Sequence, residues 1–266
     1  EIKVSEGGAN ESKSQPVIPV ATQPKPLTLN DVKGIDELYD AYLQRKAVEL
    51  PPWIIETDKG PKIYPQELFI HIIDNYHILS VKLGNSKGIV LYKYNDKGYY
   101  ELWTESEAKA FIKSFLPRKL RKPSDWELVF KELITEAVNT EESDLNVDED
   151  IINFENGILD LTTGKMLSHN PKYLSTIQIP CNYIENAKLT QAPLTNKFLQ
   201  DITGRNPYDI STILEVIGLV ISNVPGWRYK QLLILKGPGD TGKSVLREFV
   251  TNLLRKENCF TVDIAL

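Results

Sequence analysis

The run Gly237-Pro238-Gly239-Asp240-Thr241-Gly242-Lys243-Ser244 constrains this chain more than any other feature. It has the G-x-x-x-x-G-K-S form of a phosphate-binding loop, which sits between the end of a strand and a helix that starts at the lysine. Both flanks fit. Gln231 to Lys236 is an apolar run of strand length, and Val245, Leu246, Phe249, Val250, Leu253 and Leu254 recur at helical spacing. The residue types follow from the chemistry of a triphosphate. Glycine reaches cheaply the conformations that turn backbone N–H groups inward, so Gly239 and Gly242 let the main chain wrap an anion. A helix starting near Lys243 adds the positive end of its dipole. Lys243 brings a point charge to the β and γ phosphates, and Ser244 offers a hydroxyl to Mg²⁺. Gly237, Pro238, Gly239, Asp240, Thr241, Gly242, Lys243 and Ser244 are therefore the expected ATP site, with Lys243 as catalytic residue and Ser244 as metal ligand. Asp240 and Thr241 are expected to act through their backbone more than their side chains.

Hydrolysis also needs a second acid for Mg²⁺ and water, usually at the end of a later strand. Asp263 follows the short β-prone stretch Phe260 to Val262, and a strand this soon after the loop helix reads as the next sheet strand in preference to the metal-binding one. The chain begins at Glu1 and ends at Leu266 just after that apparent strand, so it reads as a fragment. On that reading it binds ATP poorly or not at all by itself.

Upstream, residues 1 to 30 carry four prolines and almost no large apolar residue before Val17, the composition of a disordered tail. Ile35, Leu38, Tyr39, Tyr42 and Leu43 then follow amphipathic-helix spacing, and a second helix opens at Pro65 with Leu68, Phe69, Ile72 and Ile73 on one face. Gly88 to Tyr94 and Tyr99 to Trp103 are β-prone runs joined by Asn95-Asp96-Lys97-Gly98, a hairpin signal. Thr104 with Glu107 and Ser124 with Glu127 are capping boxes for helices near 105–116 and 125–138. Residues 141–150 hold six acids and no base, the pattern of an acidic linker. A second hairpin follows over Gly157 to Leu161 and Met166 to Ser168, turning at Thr162 to Lys165, then a strand from Leu174 to Tyr183 and helices at 193–203 and 207–223.

The net charge of −5 looks unsuited to a nucleic-acid partner, yet the stretch 141–150 contributes −6 of it and the remaining residues sum to +1. Lys113, Arg118, Lys119, Arg121 and Lys122 form a basic run that reads first as a solvated loop and second as a phosphate contact. Tyr99, Tyr100 and Trp103 read as hairpin packing ahead of base stacking. His71, His77 and His169 have no metal-ligand spacing, and Cys181 and Cys259 have no partner pattern. No run of residues is long and apolar enough for a membrane span.

Several stretches in fixed order, Tyr92-Lys93-Tyr94-Asn95 with Gly98-Tyr99-Tyr100, Asn156 to Lys165, His169-Asn170-Pro171 and Leu235 to Ser244, resemble the phage and plasmid primase–helicases. These carry a superfamily 3 helicase domain and are related to the poxvirus primase–helicase. The resemblance runs from about Pro65 to the end. It implies an α/β chain: a mixed α/β accessory domain and a helical collar leading into the start of a truncated P-loop NTPase domain of AAA+-like fold. The resemblance leaves the first 60 residues unexplained; taken with composition and charge, the layout reads as a tail at 1–30, an accessory, possibly DNA-binding domain at 31–140, the acidic linker at 141–150, a hairpin-and-strand segment at 151–192, a helical collar at 193–226 and the first part of the ATPase at 227–266. The implied function is an ATP- and Mg²⁺-dependent DNA helicase that works on single-stranded DNA as a homo-oligomeric, usually hexameric ring, beside other replication proteins, in the cytoplasm of the host of a mobile element. Two other readings stand beside it: a non-catalytic DNA-binding or oligomerisation module, suggested by the absent second acid and the basic run, and a P-loop kinase, which the late position of the loop disfavours.

Overall fold

A computed structural model describes residues 25–84, 88–230, 233–260 and 262. The chain divides into two compact units, Glu1–Pro51 and Pro52–Leu266. Most of the expected tail lies outside the described residues. Its last part is folded: Leu27 bridges Val48 in parallel and Thr28 caps a 3-10 turn, Leu29–Asp31, by donating N–H and hydroxyl to the Asp31 carboxylate at 2.9 and 2.6 Å. Helix α1, Ile35–Leu43, forms where the apolar spacing predicts it and buries Ile35, Leu38, Tyr39 and Ala41, while Leu43 stays exposed.

The second unit opens with a hairpin, β1 (Ile54–Thr57) and β2 (Gly60–Ile63), then α2 (Pro65–Asn75), which starts at its proline. Next come β3 (Ile78–Lys82), β4 (Ile89–Tyr94), β5 (Tyr100–Trp103), α3 (Glu105–Ser114), α4 (Pro123–Glu136) and β6 (Val138–Glu141). These strands make one sheet in the order β5-β4-β3-β6, antiparallel except for the parallel β3–β6 pair. The α3–α4 pair supplies the crossover that a parallel neighbour requires. The pleat sends alternate residues to opposite faces. Ser80 faces α4, donating its hydroxyl to the Ile134 carbonyl at 2.7 Å, and Leu79, Val81 and Tyr100 face the other way, against Leu145 and Leu174.

The expected capping box at Thr104 forms, with Glu107 N–H donating to Thr104 Oγ1 at 3.3 Å and Thr104 N–H to the Glu107 carboxylate at 2.9 Å. The one expected at Ser124 does not. Helix α4 starts two residues earlier because Pro123 takes the first helical position, the Asp125 carboxylate receives Lys122 N–H at 2.7 Å, and Glu127 is spent on Lys109.

Residues 141–150, expected as an acidic linker, run from the end of β6 through a 3-10 turn, Glu142–Asp144, to Asn146, whose amide clamps Thr176 by accepting its N–H at 2.8 Å and donating to its hydroxyl at 2.7 Å. A three-stranded sheet follows in sequence order: β7 (Ile151–Phe154), β8 (Gly157–Asp160) and β9 (Lys165–Leu167). The strand expected from Leu174 to Tyr183 is an irregular segment with one bridge, Ile179 to Phe154. Pro180 has no N–H to carry the ladder on, Gln178 turns inward to donate to the Lys97 carbonyl, and the Ser175 hydroxyl accepts from Asn153 of β7 and donates to the Ile177 carbonyl of its own segment. Helices α5 (Pro193–Ile202), α6 (Pro207–Ile221), the short α7 (Gly226–Tyr229) and α8 (Lys243–Leu254) complete the chain. The ends of α6 and α8 pack Ile221, Leu253 and Leu254 onto the core of the small sheet, Ile152, Phe154, Leu159 and Ile179. No helix among the described residues is long and apolar enough to cross a membrane.

The β8–β9 turn is built on one carboxylate. Asp160 accepts from the hydroxyls of Thr162 and Thr163 at 2.6 and 2.8 Å and from both their N–H groups, and the hydroxyl bonds first of all hold its pKa down to about 2. A depressed carboxylate contributes stability that is full above its ordinary value near 3.8 and is lost as pH falls through about 2. Between those values Asp160→Ala should lose less stability on acidification than wild type, as denaturant melts at stepped pH will read.

Candidate functional site

Gly242 sets the phosphate loop. It precedes α8 in the left-handed region at φ +82°, and a Cβ there would lie 2.7 Å from Ile202 Cγ2 and 3.2 Å from Phe198 Cε2. Glycine is thus demanded twice, by the backbone angle and by the close approach of α5. Asp240 also takes a positive φ, +57°. Lys243 is the first residue of α8, and its side chain turns back over the loop. The ammonium donates to the Gly237 carbonyl at 3.1 Å, to the Pro238 carbonyl and to Thr241 Oγ1 at 2.8 Å, and the Thr241 hydroxyl donates to the Pro238 carbonyl at 3.1 Å. The Thr241 side chain thus ties Lys243 to the loop carbonyl of Pro238. All three acceptors around Lys243 are neutral, and hydrogen bonds from an ammonium to anionic oxygen are roughly twice as strong as neutral ones. Exchange of these carbonyls for phosphate oxygens is the chemistry this cradle can perform.

A cleft of about 550 Å³ runs beside the loop between Leu233–Pro238, Thr241 and Lys243 on one side and Thr203, Asp209 and Thr212 on the other. Ser244 is exposed and opens onto a second cleft, of about 690 Å³, with Arg247, Val216 and Leu235. Successive helical residues point about 100° apart, so Lys243 and Ser244 face different clefts. The strand expected at Gln231 to Lys236 is not formed over Leu233–Lys236, and Gln231 and Leu232 lie outside the described residues. Leu233, Ile234 and Leu235 are 43%, 75% and 40% exposed, and an apolar run takes strand form only against a neighbour that supplies the ladder. Asp263 also lies outside the described residues.

The lesser candidates occupy structural positions. His71 packs against Trp53 with the rings tilted by 46° and centroids 4.4 Å apart, and burial holds its imidazole pKa below the ordinary value. His77 meets Tyr94 edge to face, and a His169 ring nitrogen lies 2.8 Å from the Phe154 carbonyl. Lys113 of the basic run lies over Trp126 at 4.5 Å and Arg121 donates to the Lys113 carbonyl at 3.5 Å; Arg118, Lys119 and Lys122 are exposed. Trp103 packs edge-on against Phe111 of α3, and Lys93 sits between Trp103, Tyr76 and Phe111, 4.0 Å from the Phe111 centroid. Burial lowers the Lys93 pKa.

The residues that carry the family resemblance upstream are joints of the fold. Asn156 makes a two-way amide pair with Tyr183, donating to its carbonyl at 3.0 Å and accepting its N–H at 2.9 Å. Asn170 caps the 3-10 turn Pro171–Tyr173. Asn153 and Gln178, both buried, donate to the Gly98 and Lys97 carbonyls at 2.9 and 2.6 Å, so the β4–β5 turn is bolted to the small sheet. These pairs are 55 and 81 residues apart in sequence, and no local pattern announces them.

A family model described as D5 N terminal like (D5_N), the N-terminal domain of D5-like primase–helicase proteins, matches residues 86–204. The match spans β4 through α5 and ends upstream of the phosphate loop.

Proposed function

We propose that this chain belongs to an ATP-dependent DNA helicase of the primase–helicase kind, with a superfamily 3 ATPase whose ATP and Mg²⁺ are held by Gly237–Ser244. The observation that carries this reading is the order of two independent signals: a D5-like N-terminal domain, then a G-x-x-x-x-G-K-S loop that enters its helix through a left-handed glycine. Lys243 neutralises phosphate charge, Ser244 is the metal ligand, and the backbone of Gly239 to Gly242 wraps the anion. In this reading the protein moves on single-stranded DNA as a homo-oligomeric, hexameric ring in replication of a phage, plasmid or similar element, with α5 and α6 as its collar, in the cytoplasm of the host. The exposed cations Arg118, Lys119 and Lys122 offer phosphate contacts to the strand.

The test is single-strand-stimulated ATP hydrolysis by the intact protein. Lys243→Ala should lower the rate about 100-fold or more, the usual cost of removing one preorganised donor from developing charge. Hydrolysis at the wild-type rate would overturn the reading.

A further inference from the structure

Helix α8 begins at the phosphate loop and ends on the turn that joins β4 to β5. Its 12 residues span about 18 Å. At its far end Arg255 leaves the helix at φ +67°, ψ 140°, a backbone conformation that residues other than glycine rarely adopt. The strained backbone aims the guanidinium at one residue. Arg255 Nη1 donates to the Tyr99 hydroxyl at 2.9 Å, and its carbon lies 5.2 Å from the Tyr99 ring centroid. Tyr99 is 7% exposed, so the bond is made where water competes little.

Neither end of α8 is free to adjust. At the loop end Gly242 is pressed against Phe198 and Ile202 of α5. At the far end Leu253 and Leu254 seat on the small sheet. Tyr99 follows Lys97 and Gly98, whose carbonyls are held by Gln178 and Asn153, so the anchor is tied to both sheets. A rigid helix fixed at two ends transmits displacement, because packed cores shift between discrete arrangements and deform little between them.

We propose that Arg255 is a positioning residue for the phosphate loop: through its bond to Tyr99 it fixes the axial and rotational setting of α8, and so couples the loop to the β4–β5 turn. The inference deepens the phosphate-loop reading above. By linkage, whatever binds at the loop is felt at the turn, and the reverse.

The test is backbone hydrogen exchange in the ligand-free intact protein, which needs no nucleotide. Tyr99→Phe removes the hydroxyl and keeps the ring. It should speed exchange at residues 246–250, the first bonded amides of α8, about five-fold or more, while amides of α4 from Val129 to Leu133 stay within about two-fold. Arg255→Ala should do the same and Arg255→Lys, which retains a charged donor, should restore part of the protection. Unchanged exchange at residues 246–250, or a rise no larger than that in α4, would overturn the coupling. A second arm adds ATP with Mg²⁺ to wild type and reads Lys97 to Tyr99, where slower exchange is expected. Protection at 246–250 that follows Tyr99 while ATP does not bind keeps the strut and removes the nucleotide reading. ATP binding without the Tyr99 effect does the opposite, and ATP that binds without slowing exchange at Lys97 to Tyr99 overturns the coupling.

Discussion

Gly98→Ala should destabilise the protein by about 2–6 kcal/mol, combining the strain of a left-handed residue with an overpacked contact. Gly98 sits at φ +89°, and a Cβ there would fall 2.2 Å from His169 Cγ, 2.5 Å from its Cδ2 and 2.6 Å from its Cβ. The imidazole cannot simply swing away, since one ring nitrogen bonds the Phe154 carbonyl at 2.8 Å and the next residue, Asn170, caps a turn. The Gly98 carbonyl is meanwhile the acceptor for Asn153, so displacing the turn strands a buried amide. Gly164→Ala is the control. It has a similar φ, +68°, with nothing within 4 Å of the added methyl, and should cost only the strain, about 1 kcal/mol. Adding His169→Gly to Gly98→Ala removes all three contacts, the Cβ included, and should recover the steric part and leave the strain. Denaturant melts of wild type and these three variants separate the two contributions, and equal losses for Gly98→Ala and Gly164→Ala would show that the His169 contact is immaterial.

Gly242→Ala should have the largest effect on the candidate nucleotide site. The added Cβ would meet Ile202 at 2.7 Å and Phe198 at 3.2 Å while the backbone stays at φ +82°, so the first turn of α8 must lift from α5. A stability loss of about 2–4 kcal/mol is expected, with ATP affinity weakened about 100-fold because near-ångström displacements are costly in a preorganised site. Gly239→Ala lies in the same loop with open space around it and needs no left-handed angle. Its melt should match wild type. Thermal melts paired with nucleotide titrations distinguish the outcomes, and a Gly242→Ala protein as stable as Gly239→Ala would contradict the packing described for α8.

The parts of this fold that sequence reveals are those governed by neighbours in the chain. Helix α2 starts at Pro65, α3 starts at its Thr104–Glu107 box, and β4 and β5 flank an Asn-Asp-Lys-Gly turn, all because local geometry decides them. Strand β3 escapes such reading because Ile78, Leu79, Ser80 and Val81 are all buried, so no alternation marks it, and the one polar residue is satisfied by a carbonyl 54 residues away. The segment 174–183 misleads in the opposite sense. Its alternating apolar residues look like a strand, yet Ser175 is drawn inward by Asn153 of β7 and Gln178 by the distant β4–β5 turn. At the site, the motif identifies Lys243 and Gly242 from sequence, whereas Phe198, Ile202, Tyr99 and Arg255 acquire their roles from packing alone.

Equilibrium titration of the intact protein with ATP, in the presence and absence of Mg²⁺, decides whether Gly237–Ser244 holds a nucleoside triphosphate with Mg²⁺. Wild type should bind saturably and more tightly with Mg²⁺, and Lys243→Ala should lose about 100-fold in affinity, close to 3 kcal/mol. Equal affinity for wild type and Lys243→Ala, with no dependence on Mg²⁺, would contradict the account.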